Sequence, residues 1–334
     1  MIMDVNQLLS DVAMATCLSE GSEGVRNVLR NVMKFQPIPL HELAKIVKIP
    51  VPVVSSVRKE LEKRRILERK SGIILTEQGR LLVGSLGIKS GGPKKLDGGY
   101  KFPDWLIPLA DNFEEIQRSR PEPNYKLDQS HCNSATAVLR AAYLYDCDAL
   151  EGRNIVFIGD DDLTSLAICL LSIEYGLDTG NIIVLDIDDR LLDFVSQFAK
   201  SLDRTVKTEK YDFREGIPEN IVNGNDVFFT DPPYTISGLR LFVSRGVEAL
   251  DTGPGKMGFI SFAGKSPSEN LAAHEVFTEM GLAVQEVIPS FNNYIGAQVH
   301  AGSSSLIRCL TTHRTRSVSA MDITKIYTAD RNII

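Results

Sequence analysis

The sequence predicts two parts: a small α+β unit of winged-helix type over residues 1–95, and an α/β domain over 96–334 built on a mostly parallel, Rossmann-like sheet. Two observations predict it. From about Glu151 onward, short apolar runs alternate with amphipathic stretches, the pattern of strands paired through crossover helices. Before that, residues 25–82 read as helix, helix, helix and β-hairpin, closed by a segment of linker composition from Ser90 to Gly99.

In the first part, Val25, Val28, Leu29, Val32 and Met33 recur at helical spacing until Pro37 and Pro39 break the pattern. A second helix is expected around Leu40 to Val47. A third follows Pro50 and Pro52, with Val54, Val57 and Leu61 on its apolar face and Lys59, Lys63, Arg64 and Arg65 crowding its later turns. Two short β-like runs, Ile66 to Arg69 and Gly72 to Thr76, precede another helical stretch through Leu81 and Leu82. Residues 24–95 hold 16 Lys and Arg against 5 Asp and Glu, so the rest of a chain of net charge −6 is strongly acidic. A basic unit of this kind suits nucleic acid or an acidic protein surface, and an acidic domain draws cationic ligands. Docking or dimerisation is favoured here over DNA binding, and a homodimer is expected.

In the second part, strands are expected at Asn154–Ile158, Asn181–Leu185, Lys207–Tyr211, Asp226–Thr230, Lys256–Phe262, Ala283–Ile288 and Ser304–Leu310, with helices at Leu163–Tyr175 and Arg190–Leu202. Ligands then belong at the C-terminal strand ends. No apolar run approaches the roughly 20 residues that cross a bilayer, and Asp4 and Asp11 do not suit a secretory leader, so a cytoplasmic protein is expected. The five cysteines are scattered, without a C-x-x-C pair, and His41, His131, His274, His300 and His313 lack ligand spacing; no disulfide framework and no metal are expected.

Chemistry concentrates at strand ends. The first strand ends in Gly159-Asp160-Asp161-Asp162. A phosphate-binding turn there would need glycines and free backbone N–H groups, whereas consecutive carboxylates are tolerated beside a cation. One Asp is easily explained as a helix cap; three point to a cationic ligand. Asp186 closes the second strand where a doubly wound fold places the carboxylate that accepts ribose hydroxyls, while Asp188 suits a helix cap. Asp212, after the third strand, could face an adenine amino group. The fourth strand delivers Thr230-Asp231-Pro232-Pro233-Tyr234-Thr235, whose two prolines stiffen the loop and remove backbone donors. Its carbonyls, the Asp231 carboxylate and the Tyr234 ring form a nest for an amine nitrogen.

These residues resemble two families that share the class I methyltransferase-like fold. Amino-group methyltransferases acting on adenine, cytosine or glutamine carry an Asn- or Asp-Pro-Pro-Tyr loop, which Asp231 to Tyr234 match, but pair it with a glycine-rich first loop that Gly159 to Ser165 is not. The sequence is more similar to the branched-chain polyamine synthases, the N4-bis(aminopropyl)spermidine synthase family. There a Gly-Asp-Asp-Asp turn and a Pro-Pro-Tyr loop occur together behind a winged helix. The similarity takes in Asp128-Gln129 and the helix with Thr136 and Arg140.

The resemblance implies an aminopropyltransferase using decarboxylated S-adenosylmethionine (AdoMet) and spermidine or a related linear amine. Gly159, Asp160, Asp186, Asp212 and Gln129 would hold the donor, and Asp231, Pro232, Pro233 and Tyr234 the acceptor nitrogen. Asp161, Asp162 and Asp231 would be catalytic, with Asp162 preferred as the general base and its pKa raised by its like-charged neighbours. A carboxylate-lined pocket repels the carboxylate of AdoMet itself and selects the decarboxylated form. An AdoMet-dependent methyltransferase and a winged-helix DNA-binding regulator are the alternatives. Gly264–Ser268 and Phe291–Gly302 read as loops able to close over substrate, and Arg314–Ile334 carries no motif.

Overall fold

The computed structural model describes residues 4–98, 100–264, 266–295, 302–318 and 325–328. It divides into a unit of Met1–Pro93 with Tyr175–Thr179, and a unit of Lys94–Glu174 with Gly180–Ile334, against an expected boundary after residue 95.

In the first unit, α1 (Val5–Ala15), α2 (Gly21–Phe35), α3 (Leu40–Val47) and α4 (Val51–Lys63) precede β1 (Leu67–Arg69), β2 (Ile73–Leu75) and α5 (Glu77–Ser85). The periodic apolar residues are the core: Val25, Val28, Leu29 and Val32 pack with Leu43, Val54, Val57 and Leu61, all fully buried. Pro50 and the proline at the second helical position start α4 where a missing N–H costs nothing. α1 was not anticipated. Asp4 caps it by accepting from the Asn6 N–H, and Leu8, Leu9 and Val12 join the core.

The second unit opens with α6 (Ile107–Gln117) and α7 (Ser134–Asp146). Then β3 (Ile155–Ile158), α8 (Thr164–Glu174), β4 (Ile182–Asp186), α9 (Asp189–Ser201), β5 (Val206–Lys210), β6 (Val227–Thr230), α10 (Ile236–Ala249), β7 (Met257–Phe262) and α11 (Pro267–Glu279) alternate, and β8 (Ala283–Asn293) and β9 (Ser303–Leu310) are the last strands among the described residues. The seven strands lie in the order β5-β4-β3-β6-β7-β9-β8, with β9 alone antiparallel to its neighbours. β3, β6 and β7 are buried along their whole length, which is why they read as unbroken apolar runs. Because β3 pairs Ile155 with both Ile182 of β4 and Val227 of β6, the C-terminal ends of these three parallel strands emerge side by side.

Two of the expected loops overlap regular elements at one end. Phe291–Asn293 completes β8, and Ser266 caps α11 by accepting from the Glu269 N–H, so Pro267 and Ser268 are already helical. Lys265, residues 296–301 with His300, and residues 319–324 and 329–334 of the tail lie outside the described residues.

Candidate active site

A cavity of about 630 Å³ opens at the C-terminal ends of β3, β4, β5 and β6. Of the residues expected at the site, Gln129, Gly159, Asp161, Asp186, Asp212, Asp231, Pro232, Pro233 and Tyr234 line it; Asp160 and Asp162 do not.

The turn after β3 explains the split. Gly159 has φ +77° and Leu163 φ +59°, so the chain reverses twice within five residues and sends successive carboxylates in different directions. Asp160 folds onto the start of α8, accepting from the Thr164 N–H at 2.8 Å and the Ser165 N–H at 3.1 Å. Its side chain caps the helix and does not line the cavity, unlike the other residues expected to hold the donor. Burial pushes its pKa up to about 8 despite those N–H bonds. Asp161 points into the cavity and accepts from the Ser130 N–H at 3.1 Å. Burial first, then the charges of Asp162, Asp231 and Asp186, hold its pKa well above the usual carboxylate range.

Asp162 turns inward, 2% exposed, and accepts from the Cys132 N–H at 2.5 Å and Arg140 Nη1 at 2.5 Å. Burial alone would raise its pKa, but the Arg140 charge and the Cys132 N–H outweigh it and pull the carboxyl below its ordinary value. The expectation that like-charged neighbours make Asp162 the base is therefore corrected: its anion is locked to a guanidinium away from the cavity.

Arg140, on α7 and fully buried, is the hub of the site. Nη2 donates to Asp231 Oδ2 at 2.7 Å and Ser261 Oγ at 3.1 Å, Nε to Asn292 Oδ1 at 2.8 Å, and the guanidinium carbon lies 5.2 Å from the Phe229 ring centre. One cation thus ties the ends of β3, β6, β7 and β8, and a buried guanidinium is tolerable only with such saturation. On the cavity side, Asp231 accepts from Tyr294 OH at 2.6 Å and Tyr234 OH at 3.1 Å, and the two tyrosine hydroxyls are 2.7 Å apart. Burial raises the Asp231 pKa to about 7 against the pull of Arg140.

The proline loop differs from expectation in one respect. The Pro233 carbonyl accepts from the Thr235 N–H at 2.7 Å, so it is not left bare, and Thr235 then caps α10. Asp186, ending β4, accepts from the Asp188 N–H at 2.9 Å and the Asp160 N–H at 3.4 Å, and burial lifts its pKa to about 6. Asp188 caps α9 and receives Gln129 Nε2 at 3.3 Å. Asp212 is bound by Arg214, whose guanidinium holds its pKa down.

Sequence reasoning missed several wall residues. Tyr294 fell in a stretch read as a loop. Ile326, Tyr327 and Thr328 fell in a tail without a motif, yet they line the cavity, with Thr328 donating from N at 2.7 Å and Oγ1 at 2.5 Å to Asp128. Arg120 and His131 also line it. The pairing of Asp128 with a residue 200 positions later leaves no local signature.

The strand order, with its single antiparallel strand and an acidic cavity at the parallel strand ends, is that of a domain with the class I methyltransferase-like fold. Residues 108–329 match the branched-chain polyamine synthase A C-terminal domain, and the chain belongs to the branched-chain polyamine synthase family. It is 33% identical over 96% of its length to an uncharacterised protein of Methanocaldococcus jannaschii, covering 81% of that protein. It is 32% identical to the N(4)-bis(aminopropyl)spermidine synthase of Thermococcus kodakarensis, over 74% of this chain and 71% of that one. The crystal structure of the branched-chain polyamine synthase from Thermus thermophilus, in complex with N4-aminopropylspermidine and 5′-methylthioadenosine, has the same fold: TM-score 0.60 at 24% identity, over 98% of this chain and 97% of that one.

Proposed function

We propose that this chain transfers aminopropyl groups from decarboxylated AdoMet to the secondary amine of spermidine or a related linear amine, forming branched polyamines. The observation that carries the reading is the pair Asp161 and Asp231 on one cavity wall, both carboxyls with raised pKa values. A polyamine is a polycation, and the carboxyls of Asp128, Asp186 and Asp212 give the cavity the complementary field, to which Asp161 and Asp231 add when a bound cation favours their ionised forms. Relatives at 27–32% identity are named N(4)-bis(aminopropyl)spermidine synthases, which supports the same choice.

In the reaction the amine lone pair attacks the propyl carbon next to sulfur, the C–S bond breaks, and sulfur leaves as the neutral thioether of methylthioadenosine. The proton on the nitrogen has to go first: an amine of pKa about 10 is protonated at neutral pH, at a cost of about 4 kcal/mol. Asp161 takes it: it accepts from the Ser130 N–H, faces the cavity, and its raised pKa suits it to hold a proton. Asp231, fixed by Arg140, Tyr234 and Tyr294, orients the nitrogen, and Asp186 takes the ribose hydroxyls of the donor. A second transfer to the same nitrogen gives a quaternary centre. The homodimer and the winged-helix reading of the basic N-terminal unit stand as part of this proposal, and sedimentation tests the first.

Asp161→Asn is expected to cut turnover about 10²- to 10⁴-fold while leaving binding of 5′-methylthioadenosine within a fewfold of wild type. Full turnover in that variant would remove Asp161 from the role.

A further inference from the structure

A cavity walled only by carboxylates would bind a polyamine well and use it badly, because each nearby negative charge raises the pKa of the amine that must become a free nucleophile. One wall residue opposes this. Among the described residues that line the cavity, Arg120 is the one Lys or Arg, and its Nη1 is buried without a hydrogen-bond acceptor. It follows α6, with Glu122 on the same loop, His131 and Cys132 from the segment before α7, and Asp161 and Asp162 from the turn after β3 as the titratable groups around it.

We infer that Arg120 is a positioning residue that places a fixed positive charge on the cavity wall near Asp161, so that an acceptor amine held there gives up its proton more readily and the other ammonium groups are directed to the carboxylates. The inference rests on the aminopropyl-transfer reading and adds to it the cause of acceptor deprotonation. The guanidinium stays ionised at any working pH, so its field is permanent. His131 shows the effect inside the protein: burial first, then Arg120, lowers its pKa to about 4, leaving a neutral imidazole on the same wall. An amine nitrogen brought into that neighbourhood meets the same desolvation and the same charge, as lysines made nucleophilic beside another cation do. Asp161 then receives a proton that has already been loosened.

The test is the pH dependence of kcat at saturating spermidine and decarboxylated AdoMet, which reports groups in the bound complex, in wild type, Arg120→Gln and Arg120→Lys. The expected result is an acid limb about one pH unit higher in Arg120→Gln and unchanged in Arg120→Lys, which keeps the charge. An unmoved limb in Arg120→Gln, or an equal shift in both variants, overturns the inference. A second measurement needs no variant: ¹⁵N-labelled spermidine bound to the wild type with 5′-methylthioadenosine should show its central nitrogen titrating below its solution value, and titration at or above that value overturns the inference. Absence of any aminopropyl product from the wild type would instead sink the reading of the reaction.

Discussion

Arg140 shows how much of the site depends on one side chain. Arg140→Met leaves Asp162 and part-buried Asp231 without their cation, and loss of one partner of a buried pair costs about 3–5 kcal/mol. Denaturant unfolding of that variant is expected to show a loss of this size, and a loss below about 1 kcal/mol would mean that the network is not what holds the strand ends. Asp160 gives a prediction of the opposite kind. Its folded pKa of about 8 lies above the ordinary 3.8, so the folded state keeps the proton longer than the unfolded chain does. That contribution is complete below pH 4 and is lost as pH rises through 8, by on the order of a few kcal/mol. Asp160→Asn keeps a capping oxygen and has no charge to bury, so its stability relative to wild type should climb between pH 5 and 8. Parallel curves would contradict the assignment. The acidic run was legible in the sequence as a cluster, but the separate duties of its three members were not. Those duties follow from two left-handed backbone positions, at Gly159 and Leu163, which spacing along the chain does not reveal.

At the scale of elements, the strands were legible because buried parallel strands are nearly pure apolar runs, and β3, β6 and β7 fit that rule. The proline loop was legible because its residues are local to one strand end. The opposite wall was not. Tyr294 is placed by its bridge to Cys132 and Ile326 to Thr328 by the Asp128–Thr328 hydrogen bonds, contacts that span long separations in sequence. α1 escaped notice although Leu8, Leu9 and Val12 share a face. Gly159→Ala tests the β3 turn. An added Cβ would meet only ordinary contacts, at 3.6 Å from Phe242 and 3.8 Å from Asp186, so the cost comes from φ +77° and should be about 1–2 kcal/mol. Asp128→Ala tests the tail: two hydrogen bonds to Thr328 disappear, and the Kd for 5′-methylthioadenosine should rise about tenfold with little change in Tm. An unchanged Kd would show that the segment is merely an edge.

For the whole molecule, the sequence carries its basic residues early and its acidic ones in the domain that holds the cavity. Among the described residues no helix is long and apolar enough to cross a membrane. On the proposed function the acidic field favours a donor without a carboxylate, a preference that would separate aminopropyl from methyl transfer on one fold. The direct test is incubation of the purified protein with spermidine and either decarboxylated AdoMet or AdoMet, followed by mass analysis of the amines. The expected result is spermidine carrying one and then two added aminopropyl groups, with stoichiometric methylthioadenosine, from the decarboxylated donor only. Methylated amine from AdoMet, with no aminopropyl product from the decarboxylated donor, would contradict it.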